Sequence, residues 1–97
     1  MNTKPRVVKD FDKLPTEIQE MIKLEYPNGF EDKLVKFNNT EGRQVSALPF
    51  ETEEKYFLVR MTVAQAQKII EEDDDYDEDG NLTEEAQEEF EERYKDE

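Results

Sequence analysis

The stretch KYFLVRMTVAQAQKII, residues 55–70, changes its hydrophobic period part-way along. From Lys55 to Met61 the pattern suits a strand. Phe57, Val59 and Met61 would face one side, and Tyr56, Leu58 and Arg60 the other. At Thr62 the period lengthens. Val63, Ala66, Ile69 and Ile70 repeat at helical spacing, and Thr62 stands where an N-cap hydroxyl would bind a free amide. A strand running directly into a helix fixes the class as mixed, and the flanks extend it.

Upstream, residues 43–50 read as a strand and residues 34–38 as another, joined by the loop Asn39-Thr40-Glu41-Gly42. Pro49 lacks an amide proton, so that end of its strand lies at an edge, at a bulge or leaving the sheet. Residues 14–26 carry Leu14, Ile18, Met21, Ile22 and Tyr26 on one helical face. Pro15 suits its first turn, Thr16 or Asp12 its cap, and Pro27-Asn28-Gly29 its end, with Phe30 tucking back onto the core. Residues 1–10 read as a flexible lead in which Val7-Val8 could add to a sheet edge. The expectation is an α+β fold: an N-terminal helix, a three-stranded antiparallel sheet, a helix, then an acidic loop and a C-terminal helix.

Charge divides the 97 residues unevenly. Residues 1–70 are neutral, with 11 basic and 11 acidic residues, whereas residues 71–97 hold 2 basic and 16 acidic ones, the whole of the net −14. This predicts a compact body over 1–70 and an acidic appendage of the same domain over 71–97. Within the appendage, residues 83–95 suit a helix, with Glu84, Glu85, Glu88 and Glu89 early and Arg93 and Lys95 late. Leu82, Ala86, Phe90 and Tyr94 form a narrow apolar ridge expected to dock on the chain's own body.

The acidic loop carries the one motif with specific chemistry. Asp75-Tyr76-Asp77-Glu78-Asp79-Gly80-Asn81-Leu82 resembles the first half of an EF-hand or related DxDxDG calcium loop. Alternating carboxylates converge where glycine permits a sharp turn, and the Asn81 carbonyl would add a ligand. The twelfth position is Ala86 rather than a bidentate glutamate, so Glu84 would have to substitute. The candidate ligands for calcium, or less specifically magnesium, are Asp75, Asp77, Asp79, Asn81 and Glu84.

Composition excludes much else. There is no cysteine and no histidine, which removes thiol chemistry, the commonest general base and the commonest zinc ligand. No basic stripe offers phosphate contacts, so nucleic acid is not expected as a direct partner. No apolar run is long enough to span a membrane or serve as a signal peptide, and the expected setting is cytoplasmic. Arg60 in mid-strand reads as a salt-bridged or snorkelling residue rather than a catalytic one. No catalytic constellation or bound cofactor is expected.

Taken together, the segments Leu14-Pro15, Tyr26-Pro27-Asn28-Gly29-Phe30, Ser46-Ala47-Leu48-Pro49-Phe50-Glu51-Thr52-Glu53, Tyr56-Phe57-Leu58-Val59-Arg60-Met61-Thr62 and Asp79-Gly80-Asn81-Leu82 resemble a family of small acidic bacterial proteins of unknown function. Members sometimes carry the label "DNA primase". A primase needs a metal-dependent polymerase fold and basic template grooves, and this chain has room for neither. The resemblance implies no site residues. The leading expectation is a monomeric, non-enzymatic interaction protein. Its acidic segment, through Glu84, Glu85, Glu88, Glu89, Glu91 and Glu92, would meet a basic protein surface. The alternative is a weak calcium-binding protein using residues 75–84.

Overall fold

A computed structural model describes residues 4–94. Strand β1 (Arg6–Asp10) leads into helix α1 (Thr16–Glu25). Strands β2 (Val35–Asn38), β3 (Gln44–Glu51) and β4 (Tyr56–Arg60) follow, then helices α2 (Val63–Glu72) and α3 (Glu84–Arg93). The third helix was expected to reach Lys95, which lies outside the described residues. The class is α+β, as expected, but the sheet has four strands in the order β1-β4-β3-β2. β2, β3 and β4 are antiparallel neighbours, while β1 runs parallel to β4, with Arg6 opposite Tyr56 and Asp10 opposite Arg60.

The expectation of a three-stranded antiparallel sheet is therefore corrected to a mixed four-stranded one. β1 is an edge strand with Arg6, Lys9 and Asp10 around two valines, and only Val7 packs against the core. One inward side chain leaves no alternation to read, and its partner strand lies some fifty residues along the chain.

The rest of the sheet follows the residue pattern. Phe57 and Val59 of β4, and Met61 just after it, face the helices, together with Leu48 and Phe50 of β3. At Pro49 the ladder explains itself. Met61 donates its amide to the Ser46 carbonyl at 3.2 Å, so alternation turns the Pro49 nitrogen away from β4. On that other side β2 has already ended, because its last pairing is Val35 with Ala47. The missing proton costs no ladder bond, and the outward Pro49 carbonyl accepts from the Tyr26 hydroxyl.

Thr62 caps α2 through a reciprocal box. Its hydroxyl accepts from the Gln65 amide at 3.1 Å, and Gln65 Oε1 accepts from the Thr62 amide at 2.9 Å. α1 is capped differently from expectation. Pro15 holds the N-cap position, Thr16 is the first helical residue, and no cap side chain binds the free amides there among the described residues. Gln19 instead donates to the Phe11 and Leu14 carbonyls, fixing the short 3₁₀ turn (Phe11–Lys13) between β1 and α1.

Phe30 sits at the centre of the core, fully buried. Its ring meets those of Phe11, Tyr26 and Tyr76 with centroids 5.7, 6.2 and 6.0 Å away. One side chain thus joins the end of β1, the end of α1 and the acidic loop. Leu82, Ala86 and Phe90 belong to the same buried cluster, and Tyr94 packs at its margin. The apolar ridge of the acidic segment docks on the body, as its spacing predicts. No helix among the described residues is long and apolar enough to cross a membrane.

Candidate functional site

The acidic loop begins where α2 ends. Asp73 closes that helix and accepts the Asp75 amide on Oδ1 at 2.9 Å. Asp77 Oδ1 then accepts from the amides of Asp79 and Asn81, at 2.9 and 3.0 Å. Gly80, at φ 81°, makes the turn that an L side chain would strain. The loop closes on itself through a bridge between Tyr76 and Leu82, and through Thr83 donating to the Asp75 carbonyl at 2.8 Å. Thr83 next caps α3, its hydroxyl accepting from the Ala86 amide at 3.1 Å.

This closed loop is fastened to the far end of α1. The Leu82 amide donates to the Pro27 carbonyl at 2.6 Å, and Asn28 Nδ2 donates to Asn81 Oδ1 at 2.8 Å. The buried Tyr76 hydroxyl reaches the Tyr26 carbonyl at 3.0 Å. Lys23 supplies the electrostatic anchor, with Nζ 2.7 Å from Asp73 Oδ2 and 3.0 Å from Asp75 Oδ2. Burial pushes the Lys23 ammonium toward release of its proton. The hydrogen bonds and charges of Asp73 and Asp75 outweigh that and hold it above the ordinary lysine value. Nζ also lies 5.8 Å from the Phe90 ring centroid, so one lysine ties α1, the loop and α3 together.

A second polar cluster fastens the end of α3. Arg93 Nη1 is 2.6 Å from Glu20 Oε1, Arg93 Nη2 bonds Glu89, and the Tyr94 hydroxyl donates to the same Glu20 oxygen. Burial raises the Glu20 pKa. The hydrogen bonds from Tyr94 and Arg93, with the charges of Arg93 and Lys23, reverse that and leave it below its ordinary value. A carboxyl whose folded value is lowered contributes fully above its unfolded value of roughly 4.3, and that contribution is lost as pH falls through the lowered one. Glu20→Gln should therefore lower stability at neutral pH and flatten the loss on acidification. Urea midpoints at about pH 7, 5 and 3 should converge between variant and wild type toward the acid end.

The sequence-predicted cation ligands are placed apart in function. Asp75 engages Lys23, Asp77 holds its own loop's amides, and Asn81 turns its carbonyl to the Asp77 amide at 2.8 Å. Asp79 and Glu84 are exposed. Among the described residues, no three acidic side chains stand where they could hold one metal ion. A cation at this loop would have to take Asp75 from Lys23 and Asp77 from two amides.

The glutamates of α3 are a different matter. Glu84, Glu85, Glu88, Glu89, Glu91 and Glu92 are all exposed, because Ala86 and Phe90 define the buried side of the helix. Of these six, only Glu89 is ion-paired among the described residues, with Arg93. The partner set read from sequence therefore lies on one element, with its backbone held by a docked apolar ridge. Sequence reasoning missed Lys23 and Glu20. Both lie beside the apolar stripe of α1 rather than on it, and their partners come from remote segments. The chain matches no protein-family model, no curated protein and no solved structure.

Proposed function

We propose that this protein is a small non-enzymatic interaction module that presents the outer face of α3 to a basic protein surface. One observation carries the reading. α3 is anchored by Leu82, Ala86 and Phe90, while Glu84, Glu85, Glu88, Glu91 and Glu92 point outward with no ion-pair partner among the described residues. The helix backbone is ordered before any partner arrives, which removes part of the ordering cost of association. Like charges held on one surface also create a local field that speeds encounter with a cationic patch. Lys23 strengthens the case from the other direction. It offsets half of the charge of Asp73 and Asp75 at the base of the segment, and it pairs with none of the α3 carboxylates.

The test replaces Glu84, Glu85, Glu88, Glu91 and Glu92 with Gln, which keeps the fold because all five are exposed. Deleting the segment would instead remove Phe90 from the core. In affinity capture at about 0.05 M salt, the wild type should retain a basic protein. The five-fold variant should retain on the order of tenfold less, and the wild type at about 0.5 M salt should behave like the variant. Equal capture by wild type and variant, or capture indifferent to salt, would contradict the proposal.

A further inference from the structure

A basic partner drawn to α3 by charge alone would be met quickly but held weakly, because complementary charge raises the rate of encounter more than the affinity. Binding energy concentrates where a large apolar side chain enters a pocket that excludes water. The outward face of α3 offers no such pocket, since Ala86 and Phe90, its only apolar residues, are buried. A groove at the end of the helix does. Tyr94, which closes α3, forms one wall, and Ile18 and Met21 of α1 with Phe50 of β3 complete an open groove of about 780 Å³. Phe50 is buried, but Ile18, Met21 and Tyr94 are only half-buried, so apolar atoms remain on the surface of the groove.

The rim of the groove selects what can enter it. Lys4 and the turn between β3 and β4 form that rim, with one cation and three carboxylates, a net −2. Lys4 is already engaged there. Its Nζ lies 2.6 Å from Glu51 Oε2 and donates to the Thr52 carbonyl at 2.7 Å. Glu53 and Glu54 are exposed and have no ion-pair partner among the described residues. Their backbone is fixed, because the Thr52 amide donates to the Lys55 carbonyl at 2.9 Å and the Thr52 hydroxyl accepts from the Lys55 amide at 3.0 Å. We propose that the groove receives a segment of the basic partner in which one large apolar side chain stands between lysines or arginines. The apolar side chain lies against Ile18, Met21 and Tyr94, and the flanking cations meet Glu53 and Glu54. This rests on the reading that α3 meets a basic surface, and it supplies the contact that holds what the charge attracts. An acidic segment would be repelled at the rim, and a wholly apolar one would leave Glu53 and Glu54 without counter-charge.

Two short peptides test this on the full chain at about 0.05 M salt. One has phenylalanine between two pairs of lysines, and the other has alanine in its place. The wild type should bind the phenylalanine peptide on the order of tenfold more tightly, the gain expected from burying most of one aromatic side chain. In NMR titrations that peptide should move the side-chain signals of Ile18, Met21 and Tyr94 saturably, and the alanine peptide should not. Glu53→Lys/Glu54→Lys, at two exposed turn positions, should bind both peptides alike. The variant with Gln at positions 84, 85, 88, 91 and 92 should bind both more weakly and keep the preference for phenylalanine. Equal binding of the two peptides by the wild type overturns the proposal. So does a phenylalanine preference that survives Glu53→Lys/Glu54→Lys. The α3 reading fails separately, if the five-fold variant binds both peptides as tightly as the wild type.

Discussion

Phe90→Ala should lower unfolding stability by about 3–5 kcal/mol, the range for truncating a buried aromatic. Phe90 is 3% exposed and lies in the cluster that also holds Ile22, Phe57 and Val59. A chain of 97 residues has roughly 5–15 kcal/mol in total, so the variant would sit near the margin. The effect should exceed simple cavity formation in one respect. α3 is ten residues long, and an isolated helix of that length is marginal in water. Without its anchor the helix should fray, and Lys23 and Arg93 lose the ring that both approach at 5.8 Å. Thermal unfolding should show a fall on the order of 15–30 °C. A change of less than about 1 kcal/mol would mean that α3 is a surface helix and not part of the core.

Lys23→Ala is the second large effect, for an electrostatic reason. Asp73 and Asp75 converge on one ammonium, and removing it leaves two carboxylates facing each other with no counter-charge. Breaking a fully buried pair in this way costs about 3–5 kcal/mol. Here the lysine is 10% exposed but Asp75 is 38% exposed, so water can take over part of the loss and about 2–3 kcal/mol is expected. Lys23→Met, which restores the apolar stem over Phe90, should recover part of it. Urea unfolding of the three proteins should rank wild type above Met and Met above Ala. Raising salt should narrow the gap by screening the two carboxylates. Equal stability of all three would remove Lys23 as the anchor of the acidic loop.

What could be read in the sequence was local. The strand read at 55–61, the Thr62 cap, the stripe on α1 and the ridge ending at Tyr94 are each patterns of a few neighbouring residues, and each is found there, with the strand trimmed to Tyr56–Arg60 and the helix to Thr16–Glu25. Pro49 was also legible, because a missing amide proton restricts a sheet position whatever its neighbours are. The illegible parts are long-range. β1 needs β4 to be a strand at all, since its own charges flank only two adjacent valines. Lys23 meets Asp75 across 52 positions, and Arg93 meets Glu20 across 73. No local pattern marks either lysine or glutamate as buried. The DxDxDG motif shows the converse. Its spacing was read from the chain alone, but the same carboxylates can serve amides and a lysine, and the surrounding fold decides which. Asp77 serves the backbone of Asp79 and Asn81, and Asp75 serves Lys23.

The acidic segment is part of the folded body and holds its carboxylates on a fixed surface. Native-state amide exchange measures this directly, residue by residue. The amides of Gln87 and Phe90 in α3, and of Leu82 bound to Pro27, should be protected to the same degree as those of Leu48 and Val59 in the sheet. Exchange of the α3 amides at the rate of an unstructured peptide, with the sheet still protected, would contradict the account and return the segment to a loose acidic tail.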